Sequence, residues 1–144
     1  MFSLTKIFIA ALIAFSVYLA NVNQLNSYRV QMESSEQQKA ITFLLYIDEV
    51  STYLQSNPSS TGVITSYIIL PTWLGKSSDI SIYAQSGKGY VVMSKSPGLY
   101  GLLLEKTGGS ASLGLSTNNS IVFNDGTSIP KPTQISNNKI VYIL

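Results

Sequence analysis

The 144-residue chain has no cysteine and no histidine. Without cysteine there is no disulfide staple and no thiolate metal site. Without histidine it lacks the commonest general base, the commonest zinc ligand and any imidazole switch near neutral pH. Charge is scarce as well: only 11% of residues are Asp, Glu, Lys or Arg, and the net charge is +2. The lysines at 76, 88, 95, 106, 131 and 139 stand singly. A nucleic-acid surface needs a clustered basic face, so none is expected. Acid is missing from the start of the chain, whose first carboxylate is Glu33. Glycine and proline are missing between Phe8 and Gln55, so nothing there breaks a helix.

What stands in their place is an apolar N-terminus. Lys6 is its one early charge, and no residue from Ile7 to Tyr28 is charged. A membrane-spanning helix needs about 20 mostly apolar residues, and Leu4–Leu25 reaches that length. The expected anchor residues are Leu4, Ile7, Phe8, Ile9, Leu12, Ile13, Phe15, Val17 and Leu19. Asn21, Asn23 and Gln24 would sit at the interface, with Tyr18 and Tyr28 as interfacial aromatics. Two other readings stand beside this one. A cleaved signal peptide would use Ile7–Phe15 as its apolar core and Ala14-Phe15-Ser16 as its processing site. A pilin-like N-terminal helix would be expected to carry a processed Gly-Phe start and a glutamate in the apolar run, and neither is present. Lys6 before the segment and Arg29 after it point weakly to a cytoplasmic N-terminus and a periplasmic remainder.

The sequence divides at this segment: 1–28 as transmembrane anchor and flank, and 29–144 as a single soluble α+β domain. Roughly 115 residues make one domain. Gln37–Gln55 has helical spacing, with Ala40, Phe43, Leu44, Ile47, Val50 and Leu54 recurring at three and four. This helix, over 37–55, either continues the first or starts anew near Ser34. It ends before Pro58, which disfavours helical geometry at the residue preceding it. From 62 to 144 the chain is β-rich. Gly62–Leu70 reads as a strand. Ile80–Gln85 and Tyr90–Ser94 read as a hairpin around Ser86-Gly87-Lys88-Gly89. Ser96-Pro97 reads as the start of a short helix that Gly108-Gly109 ends. Ser110–Leu115 and Ser120–Asn124 form a second hairpin with Asp125-Gly126 as the next turn. Pro130 and Pro132 mark a loop or an edge, and Lys139–Leu144 is a terminal strand that enters the sheet. The expected architecture is α+β: a single N-terminal transmembrane helix continuing into, or followed by, an amphipathic helix packed on a small antiparallel sheet, pilin-like in outline.

No catalytic pattern accompanies this fold. Asp48 and Glu49 are adjacent and point to different sides of a helix. Asp79, Glu105 and Asp125 are isolated. Gly-Lys-Gly-Tyr before a strand is not a phosphate loop, which needs Gly-Lys-Ser/Thr before a helix. A Ser-Lys dyad is formally available, but no nucleophile elbow presents it. The expectation is a non-enzyme with no catalytic, cofactor-binding or metal-binding residues and no cofactor. Its candidate contact residues are Tyr67, Trp73 and Leu74. Trp73, beside Pro71, is either a core plug or an exposed contact, and the average burial of tryptophan favours the core.

One ordered set of features goes beyond composition. An N-terminal apolar segment precedes an amphipathic helix ending in Tyr53…Asn57-Pro58; Gly62 and Ile64 follow, then Leu70-Pro71-x-Trp73-Leu74, then a hairpin with Gly-Lys-Gly-Tyr. In this the chain resembles the small PilM proteins of conjugative and type IVb thin-pilus systems, over nearly its whole length. The resemblance implies a non-enzymatic inner-membrane component of pilus biogenesis, single-pass in the bacterial inner membrane, with a basal-body, scaffold or pilin-transport role. It implies other pilus assembly proteins or pilins, and the membrane, as partners, with no nucleic acid, and leaves room for a homo-oligomer. It does not extend to the cytoplasmic actin-like protein of the same name, whose nucleotide-binding pattern is absent. Two alternatives differ in kind: a minor pilin or pseudopilin-like subunit, and a secreted binding domain released by signal cleavage.

Overall fold

A computed structural model describes residues 4–144, with side chains from residue 14 onward. The run without glycine or proline becomes one unbroken helix, α1 (Leu4–Ser56). Of the two arrangements the sequence allowed, the continuous one is adopted, with no break near Ser34. The helix stops where Pro58 approaches. There the Asn57 side-chain amide and backbone N–H both donate to the Tyr53 carbonyl, at 3.0 and 2.9 Å. These bonds satisfy a carbonyl that the ending helix would orphan.

The chain forms two compact units, Met1–Ser35 and Glu36–Leu144. In the first, the expected anchor residues Leu4, Ile7, Phe8, Ile9, Leu12 and Ile13 lie outside the residues whose side chains are described. Phe15, Val17 and Leu19 are exposed on α1. Among the described residues no helix is long and apolar enough to cross a membrane. From Asn21 onward, amides and then charges interrupt the apolar run.

The second unit is an α+β domain built on a seven-stranded antiparallel sheet. Its strands are β1 (Gly62–Val63), β2 (Ile80–Gln85), β3 (Lys88–Ser94), β4 (Leu113–Ser116), β5 (Ser120–Phe123), β6 (Ser128–Pro130) and β7 (Lys139–Ile143). Their order is β1-β2-β3-β7-β4-β5-β6. The terminal strand therefore enters the middle of the sheet and joins the two hairpins. Val141 pairs with Val92 on one side and Gly114 on the other. The first hairpin closes more tightly than expected. Ser86 and Gly87 both adopt positive φ, 54° and 77°. That two-residue geometry matches the strand twist and releases Lys88 and Gly89 into β3.

Successive residues of a strand face opposite sides, and here both sides are covered. On one, Ile82, Val91, Leu113 and Ile140 meet Phe43 and Val50 of α1 and Leu99 and Leu103 of α2 (Leu99–Lys106). On the other, Tyr90, Val92 and Val141 meet Ile121 of β5 and Ile135 of the following loop. The sheet curls to close this second core, and Gly114 lets it do so. A Cβ there would lie 2.7 Å from Ile121 Cγ2 and 2.9 Å from the Val122 carbonyl oxygen. Pro130 sits on the edge strand, where its missing N–H costs no ladder bond.

Two local expectations are corrected. The strand expected over Gly62–Leu70 pairs only at Gly62 and Val63. Ile64 N–H still reaches the Ile82 carbonyl at 3.0 Å. The Thr65 hydroxyl then takes over: it accepts the Ile82 N–H at 2.8 Å and donates to the Ile82 carbonyl at 3.3 Å. With β2 satisfied by a side chain, the backbone turns away as a short 3-10 helix, Thr65–Tyr67. The second correction concerns Ser96, which does not cap α2. Gly98 precedes that helix in left-handed geometry, and Ser96 Oγ donates instead to Glu36 Oε2 at 2.6 Å.

Candidate interaction surface

The turn-out at Thr65 creates the most distinctive surface of the domain. Along Gly62–Leu74 the apolar side chains sort into two sets. Ile64 and Ile68 point inward and are buried, and Leu70 and Leu74 pack half-buried against the core. Val63, Tyr67, Ile69 and Trp73 point outward, with exposures of 60, 62, 85 and 72%. An isolated exposed apolar residue is ordinary; a run of four within eleven positions marks an interaction site.

The three contact residues expected from the sequence are thus split. Tyr67 is exposed, and its ring stacks on Tyr53 of α1 with centroids 6.5 Å apart and an interplanar angle of 21°. Trp73 is exposed, which corrects its assignment to the core. The Leu74 N–H donates to the Pro71 carbonyl at 2.9 Å, so Trp73 sits at the tip of a tight turn. Leu74 is the side chain that returns to the core. Val63 and Ile69 were not among the expected contacts. Their β-branched character reads as strand interior, and only the Thr65 hydroxyl bonds reveal that the strand ends first.

This segment is tied down from below. The Ser77 N–H donates to the Tyr46 hydroxyl at 2.9 Å, tying the far end of the loop to α1. Between Tyr46, Thr65, Ile68, Leu70, Lys76 and Ile80 lies a cleft of about 360 Å³. Lys76 is its one charged residue. A mostly apolar, aromatic face on a fixed scaffold suits contact with another protein.

Titratable chemistry is sparse elsewhere. Ser94 Oγ accepts from Lys139 Nζ at 2.9 Å. The two are directly opposite on β3 and β7, which makes them a cross-strand pair. Ser110, by contrast, donates to the Tyr142 hydroxyl at 3.5 Å. Among the described residues no group of three or more acidic residues could hold a metal ion. Asp125 has its pKa lowered by the Thr127 hydroxyl and backbone N–H that it accepts; this is a turn device. Burial raises the pKa of Tyr90 and Tyr100.

Comparison with known proteins agrees with this architecture. The family model described as PilM matches residues 8–143. A PilM protein of Escherichia coli B7A is 25% identical, with a TM-score of 0.64 over 79% of this chain and 94% of its own. A PilM protein of Pseudomonas aeruginosa 2192 is 26% identical, with a TM-score of 0.48 over 76% of this chain and 92% of its own. No curated protein matches. The chain belongs to the PilM family, and that membership implies a pilus-related role.

Proposed function

We propose that this PilM-family chain is a non-enzymatic inner-membrane component of thin-pilus biogenesis. It is held by its N-terminal apolar segment, with the Glu36–Leu144 domain in the periplasm. It acts through protein–protein contact, as a scaffold or in pilin transport. The observation that carries this reading is the outward row Val63, Tyr67, Ile69 and Trp73 on a domain whose other apolar side chains are largely covered. Its partners are other pilus assembly proteins or pilins.

An in-frame deletion tests the role. Loss of extracellular pili, with the major pilin still accumulating in the inner membrane and piliation restored by the full chain, supports an assembly component. Unchanged piliation refutes it. Alkaline carbonate extraction tests the anchor: the chain stays in the membrane pellet, and replacing Ala11 and Ile13 by aspartate releases it. Extraction of the unaltered chain would overturn the anchored reading.

A second reading is favoured by one observation. An unbroken α1 followed by an antiparallel sheet is also the outline of a pilin-like subunit. Recovery of the chain in sheared, purified filaments would select that reading over an assembly component that stays in the envelope.

A further inference from the structure

The described start of α1 carries an apolar stripe of its own. Phe15, Tyr18, Val22, Leu25 and Met32 fall at alternating steps of three and four, and Arg29 fills the remaining step. Phe15, Tyr18, Leu25, Arg29 and Met32 are exposed and Val22 is half-buried. The spacing averages about 3.5 residues, the period at which a straight helix must supercoil to keep one seam facing another helix. Directly opposite the seam stand Ala20, Ser27 and Ser34, with Val17 and Val30 exposed beside them.

What covers the stripe can be read from the positions beside it. When two identical helices run parallel and in register, each residue before the first seam position of a heptad faces the residue five further on in its partner. Ala14 then meets Leu19, apolar on apolar. Asn21 meets Asn26, and their amides both donate and accept. Tyr28 meets Glu33, a phenol donor with a carboxylate acceptor. All three pairs are chemically matched. An antiparallel arrangement would set leading flank against leading flank and trailing against trailing, so none of these three pairs would form. Arg29 is the single charged residue in the seam. One cation at such a position costs stability but fixes register and favours two strands, whose open flanks let the side chain reach water.

We propose that residues 14–35 form a parallel, in-register two-stranded coiled coil with a second copy of this chain. The inference does not rest on the pilus role, and a dimer could be found or excluded whatever that role proves to be.

The absence of cysteine makes the test direct. Single cysteines are introduced into the full chain and oxidised in whole-cell extract, and covalent dimers are read on non-reducing gels. Val22→Cys and Leu25→Cys, in the seam, form dimers, whereas Ser27→Cys and Asn23→Cys, on the outside, stay monomeric. Co-expressed Asn21→Cys and Asn26→Cys chains cross-link to each other, and neither cross-links when expressed alone. Self-linking of Asn21→Cys alone would show an antiparallel pair and overturn the proposal. Equal cross-linking at seam and outside positions, or monomers throughout, would overturn it too. Monomers throughout would leave lipid or a different protein as the cover of this stripe.

Discussion

Two stretches of α1 carry the same spaced residues and meet opposite fates. Phe15, Tyr18 and Val22 recur, 28 positions later, as Phe43, Tyr46 and Val50. In the later stretch these side chains are 0, 2 and 0% exposed beneath the sheet; in the earlier one Phe15 and Tyr18 are 59 and 64% exposed. Helix formation is common to both and needs only good spacing and the absence of breakers. Burial is a separate matter, decided by what the rest of the chain places against the stripe. The difference teaches that an amphipathic pattern announces a demand for cover without naming the cover. In the domain, the sheet meets that demand; in residues 14–35 a second copy is proposed to meet it.

Substitutions sharpen this contrast, and the largest effect belongs to the covered stretch. Phe43→Ala should destabilise the domain by about 3–5 kcal/mol, through lost transfer energy and the cavity left behind. Phe15→Ala should change domain stability by no more than about 0.5 kcal/mol. Urea unfolding of both variants measures the gap, and similar costs would break the comparison. Gly114→Ala should follow at about 1–3 kcal/mol, since its Cβ would press on Ile121 and on backbone at Val122 that cannot swing aside. A smaller effect is expected at Trp73→Ala, within about 0.5 kcal/mol because the indole is exposed. The unaltered chain should then show red-shifted tryptophan emission; blue-shifted emission would place Trp73 under cover.

The mildest effect concerns alkaline pH. Burial raises the folded-state pKa of Tyr90 and Tyr100 above the ordinary phenol value of 10.0. For a group whose folded pKa is raised, the contribution to stability is complete below about pH 10 and is lost as pH climbs through the raised value. Phenolate absorbance should show these two tyrosines ionising above the ordinary phenol value. Tyr90→Phe and Tyr100→Phe should remove the late part of the titration, and an unchanged curve would contradict the assignment.

The periodic elements are legible in the sequence. The spacing over 37–55, the hairpin around Gly87, the stop at Gly108-Gly109 and the entry of Lys139–Leu144 into the sheet each follow from local pattern. That last strand is apolar on both faces because both faces of the sheet are covered. What is not legible depends on contacts remote in sequence. The Gly62–Leu70 run has strand composition, and it is the Thr65 hydroxyl bonding to Ile82, 17 residues away, that ends the strand. Ser96 has the look of a cap until Glu36, 60 residues earlier, takes its hydroxyl. Trp73 was misplaced because average burial says nothing about one turn tip. The candidate surface was accordingly half legible: Tyr67 and Trp73 stood out as aromatics, while Ile69 and Val63 were hidden within an apparent strand.

The proposed function turns on the outward apolar row of Gly62–Leu74 being a contact surface and not part of the fold. Counting extracellular thin pili on cells whose chromosomal copy carries Ile69→Asp together with Trp73→Ala tests this most directly, alongside urea unfolding of the same variant. The prediction is loss of pili with domain stability close to that of the unaltered chain. Normal pilus numbers from a folded variant would contradict it.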